Sequence, residues 1–523
     1  MTIHKRKREL HRCGRRAHRE DKAAMKRMLQ IEITEKKRKQ RVETEKTVTK
    51  NYFFNLIQQA CLLLSPLITV PYVSRVLGVQ SIGICSYVTA SVTYFTLIAN
   101  LGSSTYGQKH IAIYANDARK RTAMFYSVLC FRAITAFCAL IGFFLYIQYA
   151  AGAEYKALMM VESAAIVSVF FDITWFFQGL QNFKVTALRS VFFKIIGTAL
   201  TFVFVKKPED AAMYLAFDVG STLLGNLSLF KKLKMYLTPI QREEIRPFSC
   251  LKESLQFFIP GIAVQIYTVL DKTMLWRYAG GGLENGYYEQ AMKIIRFSVS
   301  ILSAYSTAFF PRMVEVFHHA TEEEARDKIQ KGAQIVTFLG LPITWGIALT
   351  APTLVPVFLG EGYEKSIVLL QILAPEVFVI GISTALGQQY YNAAGKQNLS
   401  TAFVTCGALL NIGLNLCLMP RLFSVGAAIA SCLTETVITI LFVAFARRYF
   451  SMKQFLLGGV RHMAASCLMA LVVWAIPGGG ISFLLLKVGA GALTYGLSLC
   501  VFRDPYLLQI LSGLKQRGER KRR

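Results

Sequence analysis

The chain reads as an all-α polytopic membrane protein of about fourteen transmembrane helices, and three observations predict it. Of its 523 residues, 54% are hydrophobic and 17% charged, where soluble chains carry roughly a quarter charged residues. The apolar residues gather, from Tyr52 to Phe502, into segments of about 20, each long enough to cross a hydrocarbon core ~30 Å thick. Basic residues then alternate between the loops that join those segments. Lipid offers no water to backbone N–H and C=O groups, so spans of this length must be helical. Barrel strands would be shorter and would alternate polar with apolar residues.

In chain order the expected spans are Tyr52–Ser74, Ile82–Gly102, Ala123–Tyr149, Ala157–Gln178, Val185–Val205, Ala211–Phe230 and Leu255–Tyr278. They continue with Glu289–Phe310, Gly332–Thr350, Ser366–Tyr391, Leu399–Met419, Val425–Ala446, Phe455–Ile476 and Ile481–Phe502. Pro66, Pro71, Pro260, Pro342 and Pro375 fall inside spans and mark expected kinks. Loops after odd-numbered spans are poor in cations, holding Arg75, Lys156, Lys206, Lys207, Arg277, Lys365 and Arg421. Loops after even-numbered spans are richer, with Arg119, Lys120 and Arg121, then Lys231, Lys232, Arg242 and Arg246, then Arg447, Arg448 and Arg461. This bias places both termini in the cytoplasm, as an even number of spans also requires.

The formal net charge of +28 follows the same logic, because the cations crowd into residues 1–50, the tail and alternate loops. No nucleic-acid partner is implied; membrane lipids are the expected contact of the basic extension. Most of the eleven cysteines sit in apolar segments, and Cys13 and Cys250 fall on the cytoplasmic side, so no disulfide framework is expected. About 50 polar residues precede the first span, which argues against a cleavable signal peptide; Met25 or Met28 are alternative starts. No loop is long enough for a separate catalytic domain, and no Walker loop, HExxH or zinc-spaced Cys/His cluster appears. The expectation is a protein that is not an enzyme and uses no cofactor or metal.

A weak repeat runs through the chain. Val73-Ser74-Arg75-Val76-Leu77-Gly78 closes the first span, and Gly83 and Tyr87 open the second. Asp271-Lys272-Thr273-Met274-Leu275-Trp276 closes the seventh, and Gly286, Tyr287 and Tyr288 open the eighth. An offset of six helices makes the copies parallel, with a site expected between them.

Several ordered segments resemble the motifs of Wzx-type polysaccharide flippases. They are Pro66 to Gly78, Trp175-Phe176-Phe177-Gln178-Gly179-Leu180-Gln181, Gly286 to Ile294, Phe310-Pro311-Arg312-Met313, Gly360-Glu361-Gly362-Tyr363 and Gly395-Lys396-Gln397. The resemblance covers about Tyr52 to Arg448 and implies the fold of the multidrug/oligosaccharidyl-lipid/polysaccharide (MOP) superfamily. That fold has two six-helix lobes in a V around a central cavity, plus two C-terminal helices. On this division residues 1–50 are a basic cytoplasmic extension, disordered or loosely helical, and 51–232 the first lobe. Residues 233–251 are a cytoplasmic connection, 252–448 the second lobe, 449–502 the last two helices and 503–523 a basic cytoplasmic tail. The implied cargo is an undecaprenyl-pyrophosphate-linked oligosaccharide. It would cross a bacterial plasma membrane by alternating access, for capsular or exopolysaccharide synthesis beside a polymerase and glycosyltransferases. A lipid II flippase or a MATE-like exporter shares the fold, and a membrane polysaccharide polymerase is the more distant alternative.

Ionisable groups inside spans are costly, ~2.5–3.5 kcal/mol on insertion scales, so each must be paired or face water. An anionic diphosphate cargo calls for cations along its path. Arg75 matches the arginine of the first-helix motif, while Lys293 and Arg296 share a stripe of the eighth span and Lys272 sits on the seventh. Arg132, Arg189 and Lys194 lie in the third and fifth spans and are equally readable as inter-helix ion pairs. The carboxylates Asp172, Asp218, Asp271, Glu376 and Glu435 neutralise these cations or bind a coupling Na+ or H+, with Asp172 and Asp271 the ion candidates.

Overall fold

The computed structural model describes residue 54, residues 58–149 and residues 152–508. The expected extension 1–50, with Met25 and Met28, and the tail beyond residue 508 lie outside the described residues. Everything regular among the described residues is helical, and ten helices there are long and apolar enough to cross a membrane. Two of these are far longer than one crossing needs: Gln58–Ile113 has 56 residues and Gln397–Phe445 has 49. Each covers two expected spans.

The breaks fall where backbone geometry permits them. Helix α1 (58–100) turns at Gly78, whose φ of 71° is left-handed and free of Cβ strain only for glycine. The loop expected between the first two spans shrinks to that residue. Leu101 and Gly102 are also left-handed and set off α2 (Ser103–Ile113), a helix not expected from the sequence. Then come α3 (Ala118–Tyr149), α4 (Lys156–Phe171), α5 (Thr174–Gly179), α6 (Phe183–Phe204) and α7 (Ala211–Leu233). The expected fourth span is therefore two helices, parted at Asp172 and Ile173. Asp172 leaves the helical region (ψ 98°), and its carboxylate accepts the Thr174 amide at 3.0 Å, a local bond that competes with helix continuation.

The second half begins with α8 (Leu251–Ala279), which ends at another left-handed glycine, Gly280. It continues with α9 (Gly282–His319), α10 (Glu322–Phe358), α11 (Glu364–Leu386), a π turn over Gly387–Asn392, and α12 (Gln397–Phe445), bent at Phe423 (φ 50°). Residues 312–331, read from sequence as a polar loop, are mostly helix. Only residues 320 and 321 interrupt it, and Thr321 caps α10 by accepting the Glu324 amide while Glu322, Glu323 and Glu324 meet the positive helix end. Helices α7 and α8, expected as the sixth and seventh spans, are not among the ten apolar enough by composition. Asp218 and Asn226 on α7, and Glu253, Asp271 and Lys272 on α8, lower their hydropathy.

In the first half α6 and α4 both pack on α7, and α3 on α4; in the second, α11 sits between α9, α10 and α12. Helix α11 is the axis of that half, with Leu369, Leu370, Leu373, Ala374 and Val377 fully buried. Val70, Val73, Leu77, Val79 and Ile82 of α1 belong to the same buried cluster, so the turn at Gly78 is packed into the second half. Finally α13 (Met452–Ala475) packs on α10, and α14 (Ile481–Val501) on α13 and α10.

Candidate functional site

The two halves meet along the second limb of α1, which faces α8 and α9. Without a hydrophobic drive between helices in lipid, close approach needs small residues, and the seam supplies glycines. A Cβ on Gly83 would lie 1.7 Å from the Gly282 carbonyl oxygen, and one on Gly286 2.2 Å from that of Val79. Further along, the Tyr87 and Trp276 rings stack at 4.1 Å, and Tyr94 and Thr273 share a hydrogen bond of 2.9 Å. Beyond the turn, Arg75 donates to the Val357 carbonyl at 2.5 Å, and Tyr363 donates to the Ser74 carbonyl at 3.2 Å. Arg75 thus latches α1 to the end of α10. At the opposite end Lys109 and His110 of α2 both reach Glu253 of α8, at 2.6 and 2.8 Å.

Inside this seam three of the expected cations converge. Lys272 Nζ lies 2.6 Å from Glu289 Oε2, and Lys293 Nζ 3.6 Å from Glu289 Oε1. The same carboxylate accepts from Ser86 Oγ of α1 at 3.0 Å, so one acidic side chain ties two lysines of the second half to the first half. Arg296, one turn beyond Lys293 on α9, is exposed and makes no hydrogen bond or ion pair with any described residue. It lines a cavity of about 650 Å³ whose walls come entirely from the second half, including Thr268, Ser300, Glu376, Ser383, Ser431 and Glu435. Glu376 is 1% exposed, and its Oε1 has no hydrogen-bond partner.

Asp271, the expected ion carboxylate of the seventh span, is buried beside this cavity. It accepts from Tyr288 Oη at 3.0 Å and from Asn415 Nδ2 at 2.6 Å, and Asn411 Oδ1 accepts a second bond from Asn415 at 2.9 Å.

The first half treats its cations differently. Arg132 is 1% exposed and bonds to Ser103 Oγ (2.7 Å), Asn100 Oδ1 (2.8 Å), the Val169 carbonyl (3.2 Å), Ser104 and the Asp172 carbonyl. It knits α1, α2, α3 and α4 together and presents no donor to a cavity. Arg189 donates to Asn226 Oδ1 at 2.5 Å, and Lys194 pairs with Asp218 at 2.7 Å. These two line a separate cavity of about 350 Å³ with Asp172, Gln58 and Gln178. Asp172 also accepts the Thr174 hydroxyl at 2.5 Å, which engages the oxygen that caps α5.

The structure therefore brings Lys272, Lys293 and Arg296 together, sets Arg75 at the rim of the same seam, and keeps Arg132, Arg189 and Lys194 within the first half. The sequence reading overlooked Glu289, the group on which the lysines converge, although its i,i+4 spacing to Lys293 was visible. It also overlooked Ser86, Asn411 and Asn415, ordinary polar residues with no spacing signal to single them out.

A family model described as polysaccharide biosynthesis protein matches residues 48–317. A protein of Shigella dysenteriae named "Putative O-antigen transporter" is 25% identical over 400 residues, 75% of this chain and 98% of its own length. One of the same name from Escherichia coli (strain K12) is 23% identical over 413 residues, 77% of this chain and 97% of its own. The solved structure of the lipid II flippase MurJ in its inward closed conformation superposes with a TM-score of 0.69 at 15% identity, over 86% of this chain and 98% of that one. The last of these bears on the fold, which is the one the motif resemblance implied.

Proposed function

Because the chain belongs to the polysaccharide biosynthesis protein family and is a multi-pass membrane protein, we propose that it flips an undecaprenyl-pyrophosphate-linked oligosaccharide from the cytoplasmic to the outer leaflet of a bacterial plasma membrane. The cargo serves capsular or exopolysaccharide synthesis, alongside a polymerase and glycosyltransferases. Both termini are cytoplasmic. Residues 51–232 and 252–448 are the two moving lobes, 233–251 is their cytoplasmic connection, and 449–502 adds two helices outside the path. The cations of 1–50 and 503–523 favour the anionic headgroups of the cytoplasmic leaflet by charge.

The observation that carries this reading is that Lys272 and Lys293 share one carboxylate, Glu289, at the seam, while Arg296, one turn away, lines the adjoining cavity without an ion-pair partner among the described residues. A diphosphate entering from the cytoplasmic side finds Arg296 without an ion-pair partner and two lysines whose partner it can replace. Competition with Glu289 loosens the bond to Ser86, and the seam opens to the other side with the Arg75 latch released. Binding thus shifts a two-state equilibrium through contacts that differ between the states. Arg189 and Lys194 offer secondary contacts to the sugar-phosphate within the first lobe, whereas Arg132 acts as a brace. The coupling Na+ or H+ rests at Asp271, whose Asn415 and Tyr288 partners supply further oxygen ligands or a proton relay; Asp172, already engaged by Thr174, is the weaker candidate.

The test is reconstitution in liposomes with a fluorescent undecaprenyl-pyrophosphate oligosaccharide. Wild-type protein should expose the label to an outer-leaflet quencher, and the Lys272→Ala/Arg296→Ala protein, at equal incorporation, should fall to the rate of empty liposomes. Wild-type rates from the double variant would sink the proposal.

A further inference from the structure

Lys487 is a buried lysine of the membrane helices that meets no carboxylate among the described residues. It lies in the second turn of α14 and is 8% exposed, and its ammonium donates to Thr353 Oγ1 of α10 at 2.9 Å. Lys272 and Lys293 have Glu289, Lys194 has Asp218, and the Arg132 guanidinium fills five acceptors. A hydroxyl supplies a dipole but no countercharge, so a lysine held between membrane helices on these terms lacks the anion that would balance it.

Its surroundings say what that anion is attached to. Helices α10, α13 and α14 enclose a cavity of about 540 Å³ beside Lys487, walled by Ile343, Ile347, Met469, Val473, Leu484 and Val488 among others. Lys487 is the only charged side chain in its lining. Thr353 is one turn from Val357, which holds Arg75, so the ammonium end of the groove belongs to the membrane face of the Gly78 turn. Lys487 lies six positions beyond Ile481, the first residue of α14, a rise of about 9 Å, within the depth from which a lysine reaches the headgroup level. An anion at one end and an apolar trough running toward Tyr495 fit one chemical class, an anionic amphiphile.

We propose that the groove between α10, α13 and α14 holds one anionic phospholipid of the surrounding bilayer, its phosphate on Lys487 and an acyl chain along the trough. The groove shares no lining residue with the cavity beside Arg296, which is why the occupant is assigned to the bilayer and not to the cargo. The bound lipid supplies the missing countercharge and cements α13 and α14 to α10.

The experiment uses the full-length protein in nanodiscs of phosphatidylcholine with or without phosphatidylglycerol. Retained lipid is read by native mass spectrometry and the melting temperature by intrinsic fluorescence. Wild type should retain one phosphatidylglycerol, prefer it about fivefold over phosphatidylcholine, and melt higher in its presence. Lys487→Met should erase the preference and Lys487→Arg should keep it. Val488→Trp, which crowds the trough and leaves the charge in place, should also lose the lipid, and it decides the matter if Lys487→Met does not fold. Equal retention of the two lipids by wild type, or an undiminished preference in Val488→Trp, would overturn the assignment. So would retention of a polyprenyl phosphate in place of the glycerophospholipid.

Discussion

In the first half, Arg132 reaches five acceptors on neighbouring helices and Lys194 faces a carboxylate of its own, whereas in the second half two lysines share Glu289 and Arg296 pairs with nothing described. The same residue types do different work because of what surrounds them. A guanidinium whose donors are all matched is part of the scaffold, since moving it would strand every acceptor at once. A cation that shares its partner, or lacks one, can change partners at low cost. Buried charge alone therefore does not separate a fixed brace from a group free to change partners; completeness of pairing does.

The sharpest way to break this contrast is to remove one arginine from each half. Arg132→Met should cost about 3–5 kcal/mol of stability and strip the protein from membranes, as judged by fluorescence-detected size exclusion. Arg296→Met should leave that profile unchanged while liposome flipping falls about ten- to a hundredfold, the worth of a charge-assisted contact to the cargo. If both variants lose abundance equally, the distinction between brace and free cation fails.

Glu289→Gln should come next in size. It frees Lys272 and Lys293 and weakens the tie to Ser86, so hydrogen–deuterium exchange over residues 79–90 should quicken about tenfold. Unchanged exchange would mean that glycine packing closes the seam unaided. Arg75→Ala removes a single bond to the Val357 carbonyl, worth about 1 kcal/mol, and should slow flipping about fivefold without abolishing it. Complete loss would place Arg75 on the cargo instead of at the latch.

The smallest effect concerns the connection between the halves. Arg119 forks onto Glu244, with Nε and Nη2 at 2.8–3.1 Å from its two oxygens, and holds that carboxyl below the ordinary carboxylate range. A depressed carboxylate stabilises the fold above its unfolded value, near 4.3, and that contribution fades as the pH drops through the folded value. The pair is exposed, so the effect is slight. Melting of the wild type should fall a little more steeply below about pH 4.3 than that of Glu244→Gln, and identical slopes would show the fork to be idle.

Much of the fold was legible in the sequence because membrane helices declare themselves by length and hydropathy, and Gly78 stood out within a repeated motif, whereas the turn at Gly280 did not. What escaped were features decided by local backbone chemistry: the split at Asp172, where apolar composition continues through the break, and the separate helix α2, whose polar sequence reads as a loop. The site was partly legible. Lys272, Lys293 and Arg296 stood out as charges in apolar stretches, but nothing in one dimension separates them from Arg132, whose partners come from residues 100, 103, 104, 169 and 172. Pairing is a three-dimensional property, and so is its absence.

Gly83 shows how a state can be specified by missing atoms. The closed seam fits only because residue 83 ends at its Cα, and the space a methyl group would take is filled by the Gly282 backbone. Any side chain there and the closed arrangement are mutually exclusive. Position 83 therefore acts as a doorstop socket kept empty, through which the balance between the two faces of the membrane can be set by volume alone, with every charge on the path left in place.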